Sequence, residues 1–218
     1  THEQEYFGIL LRQLCDTIPQ PPQGFGRPRL PLSDVVYGIG LKVYSTMSGR
    51  RAMTDFREAQ GKGLLEKAPS FTSTFRYLEN PDLTPLLRAL VEQSALPLRS
   101  LETDFAVDSS GFSTSVYNRW FVHKYGRERK EARWVKAHLM CGVKTNIVTS
   151  VEVTPTNTND APFLPPLLQA TAQHFTVNEV SADKAYLSKR NLREVQAVGG
   201  KAYIPFKSNS VAHQGHHK

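Results

Sequence analysis

The sequence predicts a mixed α/β domain that follows an all-α region. Up to residue 98, apolar residues recur at helical spacing between breaks formed by proline, glycine and serine. From Phe105 onward, short apolar runs alternate with helical segments in the order strand, strand, strand, helix, strand, helix, strand. We therefore expect two domains, a helical one at residues 1–98 and an α/β one at residues 99–218.

Five helices are expected in the first domain. The first has its apolar side chains on one face, and a stiff proline-rich linker separates it from the second. Ser70 is of a residue type that caps helices and directly precedes the fourth helix, which Asn80-Pro81 ends. The expected ranges are Glu5–Asp16, Ser33–Val43, Arg50–Gln60, Phe71–Leu78 and Leu83–Ser94.

This succession of short helices has room for a helix-turn-helix that binds DNA. Its basic residues would suit that role: Arg50, Arg51, Arg57 and Arg76. The alternative is a helical bundle whose arginines are only solvated. The sequence leaves both interpretations open, and it leaves open which helix would enter a groove.

Five strands and two helices are expected in the second domain. Thr158, Asn159 and Asp160 can each cap the first helix, and Ser188 can cap the second, which Gly199-Gly200 ends. The expected strands are 105–108, 135–143, 146–153, 177–181 and 201–206, and the expected helices are 163–172 and 189–197.

Composition limits the class of protein. The net charge of +7 suits a polyanionic partner such as nucleic acid, although solubility alone would also explain it. Cys15 and Cys141 lack metal-binding spacing and are expected to be reduced thiols of a cytoplasmic protein. No apolar run is long enough to cross a membrane. Because the chain starts without methionine and ends without a closing element, we expect a fragment of a longer reading frame.

Asp108 and Asp183 carry the expected chemistry. Each lies at or just beyond the carboxyl end of a short apolar strand, the edge at which α/β sheets bind ligands and metals. The element order is that of a ribonuclease H-like sheet, whose first and fourth strands are neighbours, so the two carboxylates would face each other. Carboxylate oxygens bind hard divalent cations, and a metal pair supports in-line phosphoryl displacement. Either aspartate alone is more often a turn or cap residue.

Four segments of the chain resemble bacterial insertion-sequence DDE transposases. Residues 105–111 (FAVDSSG) are similar to the first catalytic strand of that family, and residues 180–188 (VSADKAYLS) are similar to the second. Residues 154–160 (TPTNTND) match the segment between the third strand and the first core helix. Residues 26–31 (GRPRLP), followed by an apolar helix and by residues 48–51 (SGRR), resemble the amino-terminal domain. The specificity lies in the two aspartate motifs taken together.

The resemblance implies a ribonuclease H-like catalytic domain that cuts and joins DNA with two magnesium ions, for which manganese would substitute. It implies that Asp108 and Asp183 bind the metal ions. It also implies that transposon ends and target DNA are the partners, that the protein is a homodimer on DNA, and that residues 1–98 recognise the ends. The third acid of the family is a glutamate on a later helix, so we expect it beyond Lys218.

Other acids and histidines are weaker candidates for the site. Glu194 is expected on a helix that packs outside the sheet, and Glu152 lies inside a strand, so both are interpreted as solvated. The histidines near the end of the chain allow a metal site or, as the alternative, a plain loop. They are His213, His216 and His217.

A strongly basic stretch with interleaved aromatic residues runs from Arg119 to His138. Such a stretch suits contact with the DNA backbone and stacking on unpaired bases. The alternative is a solvated hairpin whose aromatic residues return to the core. Lys184 is a further candidate DNA contact, and Lys184 and Tyr186 would either touch the scissile phosphate or simply pack. The nine basic residues of the stretch are Arg119, His123, Lys124, Arg127, Arg129, Lys130, Arg133, Lys136 and His138.

Four functions are compatible with these features. The first is a DDE-type transposase, and the second is a catalytically inactive DNA-binding relic or repressor of the element. The third is a metal-dependent nuclease of the same fold, which a strand-transfer assay would separate from a transposase. The fourth is a basic α/β domain without a nucleic-acid role, which predicts no salt-dependent affinity for DNA.

Overall fold

The computed structural model describes residues 2–26, 28–113, 134–155 and 157–206. They form two compact units, with the division between Gln93 and Ser94. The domain boundary that the sequence predicts lies after residue 98.

The first unit contains the five expected helices. The second helix buries side chains on most of its circumference and packs against the first, third and fourth helices. Ser70 caps the fourth helix as expected, because its Oγ atom accepts a 3.1 Å hydrogen bond from the Ser73 N–H. The helices are α1 (Glu3–Cys15), α2 (Leu32–Ser45), α3 (Gly49–Gly61), α4 (Phe71–Leu78) and α5 (Leu83–Ala95).

A buried ion pair connects α1 with α2. The Arg12 guanidinium lies 3.0 Å from Asp34 Oδ1, and their side chains are 14% and 4% exposed. The other Asp34 oxygen accepts a 2.9 Å hydrogen bond from the Lys67 N–H, in the segment that follows α3. Arg12 also donates to the Leu64 carbonyl at 3.3 Å. Three segments of the unit therefore meet at one pair of charges.

Within the described residues, the second unit consists of a five-stranded mixed sheet and its helices. The order of its strands is β3-β2-β1-β4-β5, with β1 and β4 parallel and β1, β2 and β3 antiparallel. This order confirms the expected α/β fold with a ribonuclease H-like sheet after a helical region. The elements are β1 (Asp104–Ser113), β2 (Trp134–Gly142), β3 (Val148–Pro155), α6 (Leu164–Ala172), β4 (Glu179–Ala182), α7 (Lys189–Ala197) and β5 (Lys201–Tyr203).

The two faces of the sheet differ. Phe105 and Val107 of β1, Met140 of β2 and Val180 of β4 belong to the core that also contains α6 and α7 residues. Alternation along the strands places Asp108 on the opposite face. We call the two faces the helix face and the aspartate face.

The first strand is longer than the sequence predicted. It continues through Asp108 to Ser113, because its antiparallel pairing with β2 extends to the pair Ser113 and Trp134. The parallel pairing of β1 with β4 ends earlier, at Val107 and Ala182. Asp108 therefore lies inside β1 and not at its end, where the sequence predicts it. It directly follows the last residue of β1 that pairs with β4.

A buried glutamate holds the turn between β2 and β3. Glu102 is fully buried, and its carboxylate accepts hydrogen bonds from the N–H groups of Lys144 (3.3 Å) and Thr145. A side chain at Gly142 would collide with Glu102, since a Cβ there would lie 2.7 Å from Glu102 Cγ. Burial acts to raise the pKa of the Glu102 carboxyl, but the hydrogen bonds from Thr145 and Lys144 outweigh it and hold the pKa below its ordinary 4.5.

Glu102→Gln is expected to lower the free energy of unfolding by about 1–3 kcal/mol at pH 7, because two backbone N–H groups lose a buried charged acceptor. Because the pKa of Glu102 is lower in the folded protein than in the unfolded one, its stabilising contribution is fully present above the unfolded-state pKa. This contribution is lost as the pH falls through the folded-state pKa, which lies below 4.5. Urea unfolding should show a smaller difference in the free energy of unfolding between wild type and variant at pH 3 than at pH 7. Glu179→Gln, at an exposed position of β4, is the control. An equal difference at both pH values would contradict the account.

Candidate active site

Asp108 and Asp183 come next to each other because β1 and β4 are parallel. The last paired residues of these strands are Val107 and Ala182, so each aspartate is the next residue of its strand or chain segment. Neighbouring strands lie about 4.8 Å apart. The backbone of Asp183 is extended (φ −73°, ψ 169°), which continues the alternation of β4 and places its side chain on the aspartate face. The first and fourth strands are thus neighbours, as expected.

Each aspartate has one carboxylate oxygen fixed by a local hydrogen bond. Asp108 Oδ1 accepts from the Ser109 N–H at 2.7 Å. Asp183 Oδ1 accepts from the Ala185 N–H at 2.6 Å and so caps the single turn Lys184–Tyr186. Both aspartates are exposed. The fixed oxygen limits rotation of each side chain, and both carboxylates are accessible to a cation because both residues are exposed.

This pair of carboxylates fits a hard divalent cation. Mg²⁺ is commonly bound by one or two carboxylates, with water and substrate phosphates completing its octahedral shell. Within residues 2–26, 28–113, 134–155 and 157–206, no group of three or more histidine, cysteine, aspartate or glutamate residues could hold a metal. In this part of the chain, the candidate ligand set at the sheet is the aspartate pair.

The two glutamates considered from the sequence are not part of this pair. Glu194 lies on α7, partly exposed, with its Oε1 3.9 Å from Arg190 Nε. Glu152 lies opposite His138 in β3, on the helix face. It is half-buried rather than solvated, which corrects the expectation, and its charge acts to raise the pKa of His138.

A buried polar cluster lies behind the aspartates on the helix face, and the sequence did not predict it. His138 is fully buried, stacks on the Phe163 ring at 4.4 Å between centroids, and has its Nε2 atom 3.0 Å from Thr154 Oγ1. Its Nδ1 atom lies 3.4 Å from the Tyr186 hydroxyl and 3.5 Å from Asp160 Oδ1.

Asp160 and Lys136 complete this cluster. Lys136 Nζ lies 2.5 Å from Asp160 Oδ1, and the two side chains are 21% and 16% exposed. The short distance and the opposite charges make this contact an ion pair. Asp160 Oδ1 is buried and accepts no hydrogen bond of normal geometry. Asp160 is the last residue of segment 154–160, which resembles the family segment between the third strand and the first core helix. Its position beside α6 gives that segment a structural role.

His138 is not a surface cation, which corrects its place in the basic stretch. Burial lowers the pKa of His138, and the charge of Lys136 lowers it further, while Asp160 and Glu152 act in the opposite direction. With its pKa below the ordinary 6.5, the imidazole is neutral at pH 7. Lys136 is mostly buried and paired, and its contact with DNA stays a prediction.

Tyr186 packs, whereas Lys184 is exposed. The Tyr186 side chain is 1% exposed and belongs to the core of the second unit. Burial raises the pKa of its hydroxyl, the Ser109 hydrogen bond lowers it, and the charges of Asp160, Asp108 and Asp183 raise it further. The structure thus decides between the two roles left open for Tyr186. Lys184, one residue after Asp183, is directed to solvent beside the site.

A family model described as a transposase DDE domain matches residues 99–217, which is more than half of the chain. The chain belongs to the transposase DDE domain family. The matched segment contains both Asp108 and Asp183, so the family assignment and the parallel strand pair concern the same part of the molecule. The expected resemblance to DDE transposases is confirmed.

Solved structures and curated sequences do not extend the assignment of this transposase domain. A cryo-EM structure of a piggyBac transposase synaptic complex with hairpin DNA is similar over 96% of this chain, at 12% identity and a TM-score of 0.34. The chain spans 42% of the length of that protein. The likeness is too low to carry an argument about function. No curated protein sequence matches the chain.

The remaining candidate residues of the chain have mixed outcomes. Arg50 and Arg51 lie exposed at the start of α3, and the Arg50 guanidinium lies 5.7 Å from the centre of the Phe71 ring. Cys15 and Cys141 are free thiols. In the described part of the chain, no helix has the length and apolar character needed to span a bilayer. Other candidates lie outside the described residues: Arg119, His123, Lys124, Arg127, Arg129, Lys130, Arg133, His213, His216 and His217.

Proposed function

We propose that the protein acts as a DDE-type transposase that cleaves DNA at the ends of an insertion sequence and joins them to target DNA. Membership in the transposase DDE domain family supports a transposase function. The observation that carries the proposal is the register of β1 and β4, which makes Asp108 and Asp183 neighbours at the aspartate face. We propose that these two carboxylates bind Mg²⁺, with Mn²⁺ as a substitute.

The proposed chemistry divides between the metal ions and the side chains. Bound divalent cations supply activation of the attacking oxygen and stabilisation of the leaving oxygen in phosphoryl transfer. Asp108 and Asp183 hold the cations, and the hydrogen bonds at their Oδ1 atoms keep both carboxylates in one orientation. Lys184, exposed beside Asp183, contacts a phosphate of the bound DNA. The third acidic ligand lies outside the described residues.

DNA is the proposed partner, in the form of both the element's ends and the target. The helical unit recognises the ends, with Arg50 and Arg51 at the exposed start of α3 as phosphate contacts. We expect the basic stretch up to Lys136 to add contacts to the DNA backbone. A homodimer that acts on two ends in the cytoplasm completes the proposal.

Cleavage of DNA that carries the element's own ends tests this function directly. The full-length protein is expected to nick or cut at the ends in the presence of Mg²⁺ and not in its absence, and to join the cut ends to a target duplex. Cleavage without joining would support the nuclease of the same fold. Binding without cleavage would support the DNA-binding relic, and no salt-dependent binding would overturn any role in DNA chemistry.

Replacing Arg127, Arg129 and Lys130 with alanine is expected to weaken DNA binding equally for all sequences. Each lost phosphate contact flattens the plot of log affinity against log salt concentration by about 0.9, so the triple variant should lose up to about 3 in slope. A salt titration by fluorescence anisotropy measures it. A control with the same loss of charge replaces exposed residues of α7 on the helix side of the sheet: Lys189, Arg190 and Arg193. Equal slopes for the two variants would contradict the predicted role.

A further inference from the structure

The turn that carries Asp183 is held by Tyr186 at two points. Asn191, buried in the first turns of α7, donates from Nδ2 to the Tyr186 carbonyl at 2.7 Å and to the Ala161 carbonyl at 2.8 Å. The Tyr186 hydroxyl lies 3.4 Å from His138 Nδ1. The Tyr186 N–H donates to the Asp183 carbonyl at 3.1 Å, which closes the turn directly onto the aspartate.

The Tyr186 hydroxyl also lies close to the other aspartate segment. His138, which it contacts, is paired across β2 and β1 with Ser109, the residue after Asp108, and a hydrogen bond with Ser109 lowers the pKa of the hydroxyl. The N–H of the same serine holds Asp108 Oδ1 at 2.7 Å. One hydroxyl on the helix face thus connects the residue beside Asp108 with the turn that Asp183 caps.

His138 keeps this hydroxyl in place from a third element. The ring is buried against Phe163, and its far nitrogen is 3.0 Å from Thr154 Oγ1, so the imidazole has little freedom to rotate. The Lys136–Asp160 ion pair lies beside the near nitrogen. The cluster therefore provides a rigid support for Tyr186 beneath the two aspartates.

We propose that Tyr186 is a positioning residue that sets the separation of the Asp108 and Asp183 carboxylates through its contacts with His138 and with Ser109, which is paired with His138 across β1 and β2. This inference rests on the proposed metal site. Outer-shell partners of metal ligands commonly change metal affinity by about 10–100-fold when they are removed. Since Tyr186 contacts both aspartate segments, we expect its hydroxyl to act in the lower part of that range.

The test is the affinity of the protein for Mn²⁺, measured by electron paramagnetic resonance titration of the free ion. Tyr186→Phe removes the hydroxyl and keeps the buried ring, so it should weaken Mn²⁺ binding by about tenfold. Tyr203→Phe is the matched control, because the Tyr203 hydroxyl bonds Glu179 at 3.2 Å on an exposed part of the same sheet. The control should bind Mn²⁺ like wild type.

Ser109→Ala removes the serine hydroxyl that faces Tyr186. The double variant, Ser109→Ala with Tyr186→Phe, shows whether the two hydroxyls act through one shared contact or independently. If the bond between the two hydroxyls sets the separation, Ser109→Ala weakens Mn²⁺ binding and the double variant binds no more weakly than Tyr186→Phe. Additive losses would overturn the inference. Thermal unfolding of each variant without metal shows whether a loss of affinity follows from loss of structure.

Failure of this inference is distinguishable from failure of the proposed function. Asp183→Asn should lose Mn²⁺ binding at this site. If it binds Mn²⁺ as wild type does, the proposed metal site is wrong. If Asp183→Asn loses binding but Tyr186→Phe binds Mn²⁺ like wild type, the metal site stands and the positioning role of Tyr186 is overturned.

Discussion

Asp183→Asn is expected to reduce metal-dependent DNA cleavage by the full-length protein by at least about a hundredfold, with little change in DNA affinity. In the proposed metal site, this carboxylate shares a cation with Asp108 across the parallel β1–β4 pair, and an amide lacks the charge for that role. Loss of several kcal/mol of transition-state charge stabilisation corresponds to such a factor. DNA affinity is retained because phosphate contacts come from basic residues. Single-turnover cleavage and anisotropy binding measure the two effects.

Two companion variants make this result specific. Asp108→Asn should cause a similar loss, because either ligand is required for the shared site. Glu194→Gln removes a carboxylate of α7 that is partly exposed and lies 3.9 Å from Arg190, and cleavage should remain normal. Normal cleavage by either aspartate variant would exclude the pair as metal ligands. A large loss with Glu194→Gln would place the third acid on α7.

Asp34→Ala is expected to destabilise the helical unit by about 3 kcal/mol, the lower end of the range for a broken buried ion pair, because Arg12 keeps only the exposed Asp16 as a charged partner. It also removes the acceptor of the Lys67 N–H, which connects the segment after α3 to α2. Urea unfolding followed by far-ultraviolet circular dichroism measures the effect as a fall in the midpoint for the helical signal.

Asp16→Ala is the control for this prediction. Asp16 also forms an ion pair with Arg12, at 2.8 Å, but its side chain is 64% exposed. Exposed pairs contribute about 0–1 kcal/mol, so this variant should unfold close to the wild-type midpoint. If the two variants unfold alike, the buried position of Asp34 does not determine the stability of this unit.

The fold was largely predictable because its signals are local. Ser70 and Ser188 cap the helices that the sequence predicts, since each side chain accepts a bond from an N–H three residues later. The order of strands and helices after Phe105 then leaves few arrangements, and the parallel β1–β4 pair follows from one of them. Asp108 and Asp183 could be proposed as metal ligands from the sequence because both lie near apolar strands in recognisable motifs.

The rest of the site depends on contacts between residues distant in sequence. His138 looked like one more member of a basic stretch, and only the pairing of β2 with β1 and β3 shows that it is buried. Its partners come from β3, the segment before α6 and the turn after β4. One signal was present in the sequence: Lys136 and His138 are two apart in a strand and so share a face. The length of β1 was missed because its end is set by pairing with β2.

The most direct test of the central claim is cleavage of the polypeptide by hydroxyl radicals that a bound Fe²⁺ ion generates in place of Mg²⁺. If Asp108 and Asp183 share one cation, wild type should be cut near both aspartates, and Asp183→Asn should lose both cuts together. Excess Mg²⁺ should suppress them. Cuts at only one segment, or a cut near Asp108 that persists in Asp183→Asn, would contradict a shared metal site.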